Sequence, residues 1–262
     1  MLTVTVLGSG TSVPWRGRNG PGLVLRIETV DRDLTVLVDP SAGASHRMAS
    51  YGYSLAELSH VLFTHFHVDH TGDLVPILFA LKNPRFNTQG ADSADLQFIG
   101  PPGLVELYRS LELVYGKWIR HSSGVEFRDI DCDENRGFFA LGPVETTCYP
   151  VEHADKSLAY RFESRSGKVL AYTGDTDFCD GAIEVARDAD LLIIECAFPE
   201  GQKRKGHLVP SEVGRIAAAA NARRIVLTHL YPECRGQDLI GPCREHFRGE
   251  ILIAEDGLTL HL

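Results

Sequence analysis

Thr64-His65-Phe66-His67-Val68-Asp69-His70-Thr71-Gly72-Asp73 follows directly on the apolar run Val61-Leu62-Phe63. Three imidazoles and a carboxylate fall within six positions. A buried strand that opens into a metal-binding loop accounts for both halves of the stretch. Extended backbone sends alternate side chains to one side, so His65 and His67 share a direction. Asp69 and His70 fall past the strand end, where the chain can turn. Two ligand sets pointing two ways suit two cations rather than one.

Further ligands close other short apolar runs. His153 follows Cys148-Tyr149-Pro150-Val151-Glu152, Asp175 follows Val169-Leu170-Ala171-Tyr172-Thr173-Gly174, and His229 follows Ile225-Val226-Leu227-Thr228. Residues so placed lie on loops at one rim of a sheet. The reading is one metal held by His65, His67 and His153, and a second held by Asp69, His70 and His229. Asp175 and a water or hydroxide would lie between them. Spacing alone does not fix that partition. Neutral imidazole and carboxylate suit zinc, and manganese or iron as well. Two divalent metal ions are expected, zinc foremost.

At 262 residues, 44% hydrophobic and 23% charged, the chain is long enough for one large α/β domain covering residues 1–262. It has no apolar run of ~18 residues, so no membrane span is expected. Met1 to Leu7 reads as a strand without a basic leader, which argues against a signal peptide and for a cytoplasmic location. The six cysteines form no Cys-x-x-Cys pair and read as reduced thiols. Cys234 and Cys243, in a loop-like stretch, leave a disulfide open. A net charge of −9 and a pI of about 5.6 argue against the basic stripe that grips long nucleic acid. Gln202-Lys203-Arg204-Lys205 is the local exception. It reads first as a solvated loop and second as a phosphate contact at the mouth of the site.

Alternation and turn residues predict strands over 3–7, 22–27, 34–39, 124–130, 144–151, 157–162, 168–172, 191–196, 225–228, 251–254 and 258–262. Helices are predicted over 45–51, 71–81, 104–113, 182–188 and 210–220. In the last of these Val213, Ile216, Ala217 and Ala220 follow helical spacing, and Pro210 suits the first turn. Lys82 to Ala94 reads as a loop. Two strand-rich halves, each with helices, imply two sheets packed face to face with helices outside. Asp39 and Asp73 are candidates to hydrogen-bond a ligand imidazole. Gly8, Gly10 and Gly72 are candidates to let backbone pass close to the metals. His46, His60, His121, His246 and His261 lack ligand-like surroundings and read as ordinary residues.

The His-x-His-x-Asp-His motif over His65 to His70, with His153, Asp175 and His229, resembles that of metallo-β-lactamase-fold hydrolases. Within them the chain is most similar to the ribonuclease Z-like group. Leu7-Gly8-Ser9-Gly10-Thr11-Ser12-Val13-Pro14, Arg18-Asn19, Val38-Asp39, Thr173-Gly174-Asp175-Thr176, Glu195 and His207 carry that likeness over most of the chain. The resemblance implies a four-layer αββα sandwich. It also implies that Asp69 both ligates the second metal and takes the proton of the attacking water. His207, oriented by Glu195, would stabilise the transition state or leaving group. Dimers are common in the group, so a homodimer is an expectation.

One feature departs from the group. Its long Gly/Pro-rich arm, which grips transfer RNA, would lie between Tyr160-Arg161-Phe162 and Asp175. Here only Glu163 to Lys168 separates two strands, a hairpin-sized link. The expected activity is therefore a dinuclear, metal-dependent phosphodiesterase using a metal-bridging hydroxide on a small or short nucleotide substrate. Lactone, thioester or sulfate ester hydrolysis stays open, as does an accessory or binding role in cofactor biosynthesis. A redox role fits less well: the diiron relatives replace the second motif His with Glu and carry a flavin domain.

Overall fold

The computed structural model describes residues 1–83, 96–121, 123–132 and 136–262. One sheet has the order β14-β1-β2-β3-β4-β5-β6 and the other β13-β12-β11-β10-β9-β8-β7. The first comprises β1 (Leu2–Gly8), β2 (Gly22–Ile27), β3 (Leu34–Val38), β4 (Leu58–Leu62), β5 (Leu96–Gly100), β6 (Val125–Asp129) and β14 (Thr259–His261). The second comprises β7 (Gly137–Leu141), β8 (Val144–Pro150), β9 (Leu158–Glu163), β10 (Val169–Tyr172), β11 (Leu191–Glu195), β12 (Arg224–Thr228) and β13 (Glu250–Ile253).

Strand alternation builds the layers. Val4, Val6, Leu25, Val36 and Val38 from one sheet meet Tyr160, Phe162, Leu170, Tyr172 and Ile193 from the other in the central core. The intervening Leu7, Val24 and Leu37 point the opposite way, onto α1 (Ala44–Ser50), α3 (Leu74–Ala80) and α4 (Leu104–Tyr115). Leu192, Ile194, Ile225 and Leu227 likewise pack on α5 (Asp180–Ala186), α6 (Pro210–Ala219) and α7 (Ile240–His246). Both faces of the central strands are buried, which is why they read as continuous apolar runs. The result is the expected four-layer αββα sandwich.

Topology decides where the ligands emerge. β3, β4 and β5 are mutually parallel, as are β10, β11 and β12. β8 and β10 are both antiparallel to β9, so β8 runs in the direction of β10. The loops after β3, β4, β8, β10, β11 and β12 therefore follow carboxyl ends of strands, where open α/β sheets bind ligands.

The elements differ from expectation in a few places. β7 and α7 lack a clear sequence signal, β7 being short and opened by a glycine. The loop-like stretch with Cys234 and Cys243 holds that helix. Cys243 Sγ donates to Pro210 O and Cys234 Sγ to Ala197 O, and both thiols are free. Residues 84–94 of the expected loop lie outside the described residues. β9 and β10 are joined by a tight turn in which Ser164 N donates to Lys168 O and Gly167 N to Ser164 O, leaving no room for an arm. Among the described residues no helix is long and apolar enough to cross a membrane.

Tyr160 on β9 is wholly buried, and its hydroxyl donates to Phe63 O at 2.7 Å, at the point where β4 gives way to the histidine loop. Tyr160→Phe leaves that carbonyl without its partner. Urea unfolding is expected to show a loss of about 1–2 kcal/mol with an unchanged m-value.

Candidate metal centre

β4 stops at Leu62, three residues before His65, so His65 and His67 are placed by loop geometry rather than by the strand. They still meet, with ring centroids 4.6 Å apart. Asp69 and His70 lie on α2 (Val68–Thr71), one helical turn that begins directly after His67. His153 arrives after β8, Asp175 after β10 and His229 after β12. Gly174 takes φ +57°, and a Cβ there would lie 2.7 Å from the Thr64 side chain, so the approach to Asp175 requires glycine. His229 holds φ +56° with a full side chain, a conformation that costs energy and recurs at functional sites.

Two donor groups result. The ligand atoms of His65, His67, His153 and Asp175 lie within 4.8 Å of one another, as do those of Asp69, His70 and His229. Asp175 lies between the groups: one oxygen is 3.3 Å from His70 Nε2, and the other is 3.5 Å from His153 Nε2 and 3.3 Å from His229 Nε2. The described residues thus fall into two candidate donor groups that share a border at Asp175. His207 is nearer than its sequence position suggests, since it also forms a group within that limit with Asp175 and His229.

The donor set fits a cation. His65 Nε2, His70 Nε2, His229 Nε2 and Asp175 Oδ1 are buried without a hydrogen-bond partner. Orphan polar atoms at this density are costly unless a cation takes them up. The outer nitrogens fix the tautomers. His153 Nδ1 donates to Gly206 O at 2.7 Å and His70 Nδ1 to Asp39 Oδ2 at 2.9 Å. The Thr64 hydroxyl donates to Asp39, so its oxygen is left to accept from His65 Nδ1 at 3.0 Å. Each of these rings therefore turns an unprotonated Nε2 inward, and that of His153 meets His67 Nδ1 at 3.0 Å. Burial, reinforced by His70, pushes His65 down to about 2, which keeps it a neutral ligand. Burial would raise Asp69, but His229, 3.6 Å away, and the neighbouring His70 hold it below the usual carboxylate range. Asp175 is held low in the same way by His229 and His70.

The two supporting acids part company. Asp39 is fully buried and holds His70, as expected. Asp73 accepts instead from Gly43 N and Ser45 N, anchoring the first turn of α1, and touches no ligand. The glycines also serve the chain rather than the metals. A Cβ on Gly8 would collide with Gly20 O, and one on Gly72 would lie 2.8 Å from Ala42 N. On Gly10 it would lie 3.0 Å from Arg18 Cβ.

His207 precedes α6 and donates from Nδ1 to Glu195 Oε1 at 3.0 Å. Glu195 is buried at the end of β11 and also accepts from the backbone of Thr176, Leu208 and Ala197. Burial opposes protonation of His207, but the bond to Glu195 outweighs it and raises the imidazole above its ordinary value. Its ring stacks on His229 at 5.7 Å and meets His153 edge-on at 4.8 Å. The basic cluster is largely spent on neighbours: Lys203 pairs with Asp177 and Glu212, and Arg204 with Glu233.

Two supporting residues carried no sequence signal. Tyr172 donates to Asp39 Oδ2 at 3.0 Å across the sandwich. Asp256 accepts from Ser9 N, Ser9 Oγ, Asn19 N and Asn19 Nδ2, all at 2.8 Å, fastening the loop after β1. Neither is near the motif in sequence.

Residues 35–230 match the family described as Beta-lactamase superfamily domain. The probable metallo-hydrolase YhfI of Bacillus subtilis (strain 168) is 29% identical over 265 residues, covering 98% of this chain and 99% of its own. Ribonuclease Z of Salinispora arenicola (strain CNS-205) is 28% identical over 300 residues, covering 98% and 95%. The crystal structure of YhfI superposes with a TM-score of 0.81 at 26% identity, covering 99% of this chain and 98% of that one. A diphosphatase from the PhnP family shares the fold, with a TM-score of 0.70 at 22% identity over 100% and 98% of the chains.

Asp39→Asn keeps the shape at the His70 contact but offers an amide where the ring needs an acceptor. Metal affinity, measured by competition with a chromogenic chelator, is expected to fall about 10–100-fold.

Proposed function

Because the chain belongs to the beta-lactamase superfamily, we propose that this metallo-hydrolase is a phosphodiesterase working with two divalent cations, zinc foremost, on small or short nucleotide substrates. His65, His67 and His153 would hold one ion, and Asp69, His70 and His229 the other, with Asp175 shared. Such ions lower the pKa of water and neutralise an anionic ester.

The observation that carries the phosphodiester reading is His207 on Glu195. With Nδ1 bound to a buried carboxylate, the ring presents its second nitrogen beside the donor groups. That suits a non-bridging or departing phosphate oxygen. Asp69, held as a carboxylate, is the group to accept a proton from attacking water. Glu195 acts as a positioning residue, fixing the orientation and tautomer of His207. The tight β9–β10 turn and the paired Lys203 and Arg204 support a substrate smaller than a folded nucleic acid. Ribonuclease Z and the diphosphatase, by their names, act on phosphate linkages, which agrees with this reading.

Hydrolysis of bis(p-nitrophenyl) phosphate tests it. Chelator-stripped protein is expected to be inactive, to recover with zinc or manganese, and to stay inactive as His67→Ala. Absence of turnover in protein that binds two metals would overturn the phosphodiester reading in favour of lactone, thioester or sulfate ester substrates. His207→Ala is expected to lower kcat by roughly 10²–10³. Asp69→Ala should lower it further, and full activity in that variant would refute its role.

A further inference from the structure

A cavity of about 640 Å³ opens beside the metal centre, between the loop after β1, the Ser41–Ala42 turn and the start of α2. Its inner wall includes Asp69, whose Oδ2 accepts from Ser12 N at 3.3 Å. Whatever fills the cavity therefore abuts the Asp69 group of ligands. Its other walls include Pro14, Trp15, Arg16 and Val68.

The loop that forms it is braced on both sides. Asp256 clamps Ser9 and Asn19, and Arg18 Nη1 donates to Ser9 Oγ and Ala254 O. Between these clamps Trp15 and Arg18 bridge across a tight turn, with Gly17 at φ +86°. The indole is half-buried against the outer core of the second sheet, and the Arg18 guanidinium lies 5.1 Å from its ring centre. A side chain so fixed loses little freedom on binding. Val68 is 77% exposed on the same cavity, although it lies between two proposed ligand positions. Of the two arginines lining the cavity, Arg18 is committed, whereas Arg16 has no hydrogen-bond or ion-pair partner among the described residues.

A fixed indole, an exposed aliphatic wall, an uncommitted guanidinium and a neighbouring phosphate site have a common ligand chemistry. We propose that this cavity is the subsite for the nucleobase of a nucleotide ester, with the planar base against Trp15 and Val68 and Arg16 at its polar edge. The assignment rests on the phosphodiesterase reading for the position of the phosphate. Stacking on an aromatic side chain is tolerant of base identity, so the subsite selects for a base without selecting strongly among bases.

The chain has two tryptophans, and Trp118 lies on the surface against Phe79. Trp118→Phe thus leaves Trp15 as the sole tryptophan reporter. In zinc-loaded protein AMP is expected to quench this fluorescence saturably, and ribose 5-phosphate to leave it unchanged. Arg16→Ala, a surface change, should weaken AMP by about 3–10-fold. In otherwise wild-type protein Trp15→Leu should weaken AMP about tenfold by calorimetry while leaving ribose 5-phosphate within twofold. Equal responses to AMP and ribose 5-phosphate, or none to either in protein that hydrolyses bis(p-nitrophenyl) phosphate, would overturn the subsite and leave the phosphodiesterase standing. Selective quenching by AMP in a protein without phosphodiester turnover would uphold the subsite and remove the hydrolytic reading.

Discussion

Asp39 is fully buried and accepts four hydrogen bonds, from Thr64 N, Thr64 Oγ1, His70 Nδ1 and Tyr172 OH. A carboxylate removed from water is tolerable only when its oxygens are satisfied. Each donor therefore has one permitted position. Thr64 is the residue before His65, His70 belongs to a candidate donor group, and Tyr172 ends the strand that leads to Asp175. One acid thus locks the histidine loop of the first sheet to the Asp175 strand of the second. Its left-handed backbone, at φ +49°, is the local cost of aiming the carboxylate back under the loop.

The candidate donor residues were legible because their chemistry is dense and their periodicity simple. His65, His67, Asp69 and His70 cluster in the chain, and His153, Asp175 and His229 each close an apolar run. The layers were legible for a similar reason, since central strands with two buried faces leave uninterrupted apolar segments. Asp39 and Asp73 show where such reading stops. Both are acids near the site, yet one meets an imidazole and the other ties down a helix. Only the path of the chain between Pro40 and Ser45 separates those outcomes. Asp256 could not be found at all, because the groups it holds lie some 240 residues earlier. β7 and α7 escaped for a local reason: both are short, and neither shows a full period of alternation or helical spacing.

Charge at the mouth of the site is distributed unlike its appearance in the sequence. The conspicuous run Lys203-Arg204-Lys205 is mostly neutralised by Asp177, Glu212 and Glu233. An isolated Arg16, unremarkable in the chain, carries an uncommitted charge beside the cavity. The same inversion holds for the histidines. His60 is half-buried and pushed down to about 4 by burial alone, yet faces no ligand, whereas His207 gains its character from one carboxylate behind it. Partners rather than residue types decide what these groups can do.

β1 pairs with β14 in register Thr3↔His261, so the first and last strands lie side by side, and the Asp256 clamp sits just before that closing strand. During synthesis from the amino end, the histidine loop, Asp175 and His229 are all made before Asp256. Every candidate donor precedes the fastener of the loop carrying Trp15 in the chain. The candidate donor groups and the shape of the adjoining cavity thus draw on different parts of the polypeptide. A break just before Asp256 would remove that fastener and leave every candidate donor in the chain.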